Sequence, residues 1–114
     1  MPLPSTISFH ERLVGPKELE TGSTLQYTCP GGNGRRITAI YLTSDSNART
    51  INLHVVPVGS SATNANKLLD TFATIANDLR AVIELDYPLR PGETIYTSCS
   101  GTGTKITIVG RMNI

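Results

Sequence analysis

Apolar residues recur at every second position along much of this chain, and each such run stops at a cluster of glycine, proline or asparagine. "STLQYTC" sets Leu25, Tyr27 and Cys29 on one face and ends at "PGGNG". "RRITAIYLTS" is a β-branched run that stops at "DSNA". "RTINLHVVPV" puts Ile51, Leu53 and Val55 on one side and Asn52, His54 and Val56 on the other, and Pro57 and Gly59 close it. "LRAVIELD" follows, stopped by Tyr87-Pro88 and the turn "RPGE"; then "ETIYTSCS", ended by "GTGT". In "KITIVGRMNI", Ile106, Ile108 and Met112 alternate against Lys105, Thr107 and Arg111. Period-two alternation is the mark of half-buried strands, and short strands between regular turns predict an all-β sandwich or barrel.

One segment resists this reading. In "NANKLLDTFATIANDLR", residues 64–80, Leu68, Leu69, Phe72, Ile75, Ala76 and Leu79 follow helical spacing, and Thr63 or Asn64 could cap the helix. The same residues can pair as a strand that turns at Asn77-Asp78. Periodicity favours the helix, the all-β surroundings favour the strand, and sequence physics leaves the two tied.

The 114 residues fit one domain. Residues 1–10 read as a Pro-containing arm or edge strand with scattered apolar positions, and residues 11–114 as the sandwich domain. Aromatic residues make up only 5% of the chain, so the core must be built from Ile, Leu, Val and Ala. The formal net charge of +1 argues against nucleic acid as a partner, because phosphate binding needs a concentrated basic surface. Gly34-Arg35-Arg36 is the one basic cluster of note and reads as solvated loop charge. "MPLPSTISFHERLVG" lacks the apolar core of a signal peptide, and no apolar run reaches the ~18–20 residues that span a bilayer. The expectation is a soluble protein without a membrane partner. Cys29 and Cys99 each end a strand; a reducing compartment favours buried free thiols over a disulfide, and two cysteines without nearby histidines make no zinc site.

Candidate chemistry is thin. His10 and His54 lie on different elements, no G-x-S-x-G elbow is present, and the serines fall in turns. Glu84 and Asp86 share a strand face, where the solvated reading outweighs acid-base work. "SDSNA" at residues 44–48 lacks the full pattern of a calcium loop, and the glycine turns do not sit between a strand and a helix as a phosphate loop requires. No catalytic residue, cofactor or metal ligand is assigned, and an enzyme is not expected.

Three stretches together resemble small virion proteins of tailed bacteriophages. "LVGPKELETGSTLQYTCPGG" is similar to their "GP…L…TLYTVPAG" opening. "ITAIYLTSDSNARTINLHVVPVGSSATNANKLL" resembles their next segment, in which a strand carrying "LHVVPSG" runs into a Ser/Ala/Asn loop. "LDYPLRPGETIYTSCSGTGTKITIVGRMNI" resembles their close, an "L-x-x-GD-x-IYA" turn followed by a "VTVSG" strand. Order and spacing from about Leu13 onward carry the resemblance. In this chain "PGGNGRR" replaces a shorter "PAGKTA" turn, which would set Arg35 and Arg36 at a loop tip, and "MPLPSTISFHE" has no counterpart.

The resemblance implies an antiparallel, jelly-roll-like β-sandwich of about seven or eight strands, with a strand over residues 67–75 and an exposed loop at "VGSSATNAN". It further implies a non-enzymatic decoration (cement) protein of the β-sandwich type, made in the host cytoplasm and placed on the phage head surface of the virion. The expected partners are the major capsid protein and copies of itself, in a trimer or other cyclic homo-oligomer. The alternative is a tail, baseplate or fibre-associated module that contacts host receptor or other tail proteins. The interface residues expected on the capsid reading are Pro2, Leu3, Pro4, Ile7 and Phe9 of the arm, with Arg35 and Arg36.

Overall fold

The computed structural model describes residues 10–45, 47–74 and 81–112. These form eight strands: β1 (His10–Glu18), β2 (Thr24–Thr28), β3 (Arg35–Ser44), β4 (Thr50–Val56), β5 (Lys67–Ala73), β6 (Ala81–Leu89), β7 (Thr94–Cys99) and β8 (Thr104–Met112), with a single 3-10 turn at Asn64–Asn66 before β5. They make two four-stranded sheets, sheet I in the order β1-β8-β3-β6 and sheet II in the order β2-β7-β4-β5. Every neighbouring pair is antiparallel. The pairs β1·β8, β2·β7, β3·β6 and β4·β5 are nested, as if one long hairpin centred between β4 and β5 had been rolled up. That is a jelly roll, an antiparallel β-sandwich.

Alternation decides which side chains fill the space between the sheets. Ile37, Ile40 and Leu42 of β3, Ile106 and Ile108 of β8, and Leu89 of β6 face Ile51, Leu53 and Val55 of β4 and Ile95 and Cys99 of β7. Each fully buried Leu or Ile contributes about 1.5–3 kcal/mol of transfer free energy, so the aliphatic core compensates for the scarcity of aromatics. Ile37 and Ile40 are three positions apart yet both point inward. A register shift between Ile37 and Ala39 against both neighbouring strands makes this possible, because the extra residue of a bulge restores the inward phase.

Several expectations are met. Lys67–Ala73 is a strand rather than part of a helix, while residues 75–80 lie outside the described residues. Cys29 and Cys99 are free and buried.

Others need correction. Tyr87-Pro88 does not stop β6, which runs on to Leu89. Proline is tolerated there because β6 is the last strand of its sheet, and one side of an edge strand has no ladder to lose. Met112 does not join Ile106 and Ile108 in the core; it is 52% exposed at the last position of β8, opposite Arg35. β1 carries Gly15-Pro16, a pair that argues against a strand, and register shifts on either side of Val14 absorb it. Gly15 has φ +78°, and a Cβ there would collide with the carbonyl oxygen of Ile106, so this close approach of β1 to β8 requires glycine.

Candidate functional site

The outer faces of the two sheets differ in what they present. On sheet II the outward side chains of β4 are not exposed: His54 is 8% and Val56 2% accessible. The segment from Pro57 to the 3-10 turn folds back over them. His54 Nδ1 lies 3.0 Å from the Thr63 carbonyl oxygen and 3.0 Å from Asn66 Oδ1. The expected exposed loop is therefore solvent-facing on one side and a cover for the sheet on the other, and His54 is a buried clip rather than a surface residue. Close by, Thr71 adopts φ +53°, rare for a β-branched residue, where β5 bulges. Its N–H donates to Asn52 Oδ1 at 2.8 Å, and its hydroxyl donates to Asp70 Oδ1 at 3.0 Å. Lys67 Nζ donates to the same carboxylate oxygen at 3.1 Å. These two bonds hold the Asp70 carboxyl below the usual range.

On sheet I the outer face is open. Pro16, Tyr41, Thr43, Lys105 and Thr107 line a shallow depression of about 240 Å³. Arg36 at the start of β3 pairs with Asp86 of β6, Nε to Oδ1 at 2.6 Å. The bond to the Arg36 guanidinium depresses the Asp86 carboxyl, and the Asp86 carboxylate in turn raises Arg36. Arg35, one residue earlier, pairs with Glu11 of β1, also at 2.6 Å, with its side chain only 14% exposed. Arg35 also lies close enough to Tyr27 and Cys29 to oppose the effect of burial, which pushes both of those groups upward.

Arg35 and Arg36 therefore do not sit at a loop tip. They are the first two residues of β3, and each bridges to a neighbouring part of the sandwich. The turn that precedes them ends at Gly34, which holds φ +75° and where a Cβ would collide with the Leu89 carbonyl oxygen. The other expected interface residues, Pro2, Leu3, Pro4, Ile7 and Phe9, lie outside the described residues. The β-branched run "RRITAIYLTS" indicates a strand, but the arginines at its start read as loop charge; no signal in one strand's sequence indicates which acid on another strand will meet each of them.

One polar cluster was not anticipated. Ser44, Thr74 and Thr104 are all buried at one end of the sandwich. Ser44 Oγ donates to Thr74 Oγ1 at 2.8 Å, and Thr74 Oγ1 donates to the Arg49 carbonyl at 3.1 Å. The single Ser44 hydrogen is used in this way, so Thr104 donates to Ser44 across 2.9 Å. The hydroxyl chain satisfies buried polar groups and ties three segments together. The burial-raised Cys29 thiol is protonated at neutral pH and a poor nucleophile. Among the described residues no three His, Cys, Asp or Glu side chains are grouped to hold a metal, and no helix is long and apolar enough to cross a membrane.

Comparison with protein-family models, curated proteins and solved structures found no match.

Proposed function

We propose that this chain is a non-enzymatic structural protein of a tailed-bacteriophage virion, a capsid decoration protein that binds the outer surface of the major capsid protein lattice and stabilises the head. The supporting observation is the correspondence between resemblance and fold. The three stretches that resemble phage virion proteins span residues 13–32, 37–69 and 85–114, so in chain order they take in β2, β4, β7 and β8 whole and parts of β1, β3, β5 and β6, with residues 70–84 outside the likeness. A rigid sandwich with ion-paired strands and an open outer face suits a protein whose work is to present a surface. In this reading the subunits associate with one another on the lattice, and the apolar arm with Pro2, Leu3, Pro4, Ile7 and Phe9 anchors them. Proline fixes the backbone torsion and lowers the cost of ordering such an arm.

The test is co-sedimentation of the purified protein with undecorated heads and, separately, with isolated tails. Saturable binding to heads in lattice stoichiometry, lost on deletion of residues 1–9, is the expected result. Binding to tails but not heads would replace this reading with a tail or baseplate module. That second reading draws on the loop at residues 57–66, which His54 holds in a fixed pose with its far side open to a receptor.

A further inference from the structure

The two edge strands of sheet I, β1 and β6, carry opposite charges in one transverse row. Glu84 of β6 is opposite Ala39 of β3, Ala39 is opposite Val109 of β8, and Val109 is opposite Arg12 of β1. Arg12 and Glu84 are exposed, and neither has an ion-pair partner among the described residues. A charge on an edge strand ordinarily deters pairing with another chain. Opposite charges at the two ends of one row do the reverse for one particular arrangement.

We propose that a second copy of this chain docks edge to edge on sheet I, β6 of one copy against β1 of the next, with Glu84 beside Arg12 of the partner subunit. Strand direction permits this without turning the subunit over. Directions alternate across β1, β8, β3 and β6, so a further β1 beyond β6 continues the antiparallel pattern with the same face outward. Residues 82–86 then run beside residues 10–14, between Pro16 on one edge and Pro88 on the other. The adjacent row supplies an apolar contact. Val82, 47% exposed, is opposite Tyr41, which is opposite Thr107, and Thr107 reaches β1 beside Gly15-Pro16. Val82 of one copy would thus come over the Pro16 end of the next.

The competing edge pairings are disfavoured. A two-fold β6·β6 contact centred on Leu85 would set Glu84 against Asp86 of the partner subunit, and a β1·β1 contact centred between Val14 and Gly15 would set Arg12 against Lys17 of the partner subunit; like charges directly opposite are destabilising. In sheet II, β2 is bulged between Leu25 and Tyr27 and the left-handed Thr71 breaks the β5 edge, so neither edge presents a regular ladder. A β6·β1 contact is heterologous, so it closes into a ring when the rotation per subunit divides a full turn.

This inference deepens the self-association in the function proposed above, and its test separates the two. Sedimentation velocity over a concentration series is measured for the wild type, Arg12→Glu, Glu84→Arg and the double variant, with circular dichroism melts to confirm folding at these exposed positions. The expected result is a self-associating wild type, a roughly tenfold weaker association in each single variant, and recovery in the double variant. A monomeric wild type, single variants that associate like the wild type, or a double variant that fails to recover would each overturn the proposal. Co-sedimentation of the same proteins with heads is read separately. Charge-dependent association without head binding would sink the decoration reading and leave this interface standing.

Discussion

His54 donates its Nδ1 hydrogen to Asn66, and the direction of that bond is fixed by the asparagine. Asn66 Nδ2 donates to the Ser61 carbonyl at 2.9 Å, and Asn66 Oδ1 accepts the Thr63 N–H at 3.1 Å. The oxygen therefore faces the imidazole, and Nδ1 carries the hydrogen that is shared with the Thr63 carbonyl. One ring hydrogen thus pins the 57–66 segment to the outer face of sheet II. His54→Leu keeps the bulk but removes this donor; the Thr63 carbonyl keeps the Asn66 N–H at 3.2 Å and Asn66 Oδ1 keeps the Thr63 N–H, so the expected cost is that of one hydrogen bond, about 0.5–1.5 kcal/mol. Hydrogen exchange should show faster exchange at the Thr63 and Asn66 amides, with protection in β3 and β8 unchanged apart from the global loss.

The core makes a sharper demand. Ile108 of β8 is wholly buried and sits among Ile, Leu and Val from both sheets. Ile108→Ala removes transfer energy and leaves a cavity, so the expected loss is about 2–5 kcal/mol, with Ile108→Val costing about 0.5–1.5. Urea denaturation checks this through the midpoint, at an unchanged slope. Equal costs for the two substitutions would mean that the site collapses around the vacancy.

The two thiols should be inert in the native state. Cys29 is buried, and that burial raises its thiol above the ordinary value, which depletes the thiolate that alkylating agents need. Labelling of native protein by iodoacetamide at neutral pH should be slow and should become fast for both Cys29 and Cys99 in denaturant. Rapid native labelling of Cys29 would show that this end of the sandwich opens readily.

Much of the fold was legible because the sandwich buries one face of each strand and leaves the other polar. β4, β7 and β8 declare themselves by alternation and β3 by its β-branched run, and they end at turns rich in glycine, asparagine or proline. β1 did not, since Gly15-Pro16 is a stop signal in any central strand and is tolerated only at an edge, and edge position is a property of the assembled sheet. β5 was ambiguous for a related reason. Its bulge at Asp70-Thr71 breaks strict alternation, so Leu68, Leu69 and Phe72 mimic helical spacing. The candidate site was less legible still. Arg35 and Arg36 could be singled out as charges, but Glu11 and Asp86 are 24 and 50 residues away from them. The hydroxyl chain of Ser44, Thr74 and Thr104 likewise joins three separate segments with no local motif.

Asp86 makes the pH dependence of this fold directional. Its carboxyl is depressed by the hydrogen bond from Arg36, so the folded protein binds the Asp86 proton less readily than the unfolded chain does. The stabilising contribution is fully present above the unfolded value near 3.8 and is lost as pH falls through the lower folded value. Asp70, depressed by Lys67 and Thr71, acts in the same sense. Stability should therefore be flat with respect to these two groups at neutral pH and should decline below about pH 4. Asp86→Asn retains a side chain of the same shape but cannot titrate. Thermal melts between neutral pH and pH 2.5 should show a shallower acid decline for this variant than for the wild type, and a lower melting temperature at neutral pH where the ion pair is missing. Both groups are solvent-exposed, so added salt should shrink the neutral-pH difference. An acid slope identical in wild type and Asp86→Asn would mean that the Arg36 pair does not persist in solution.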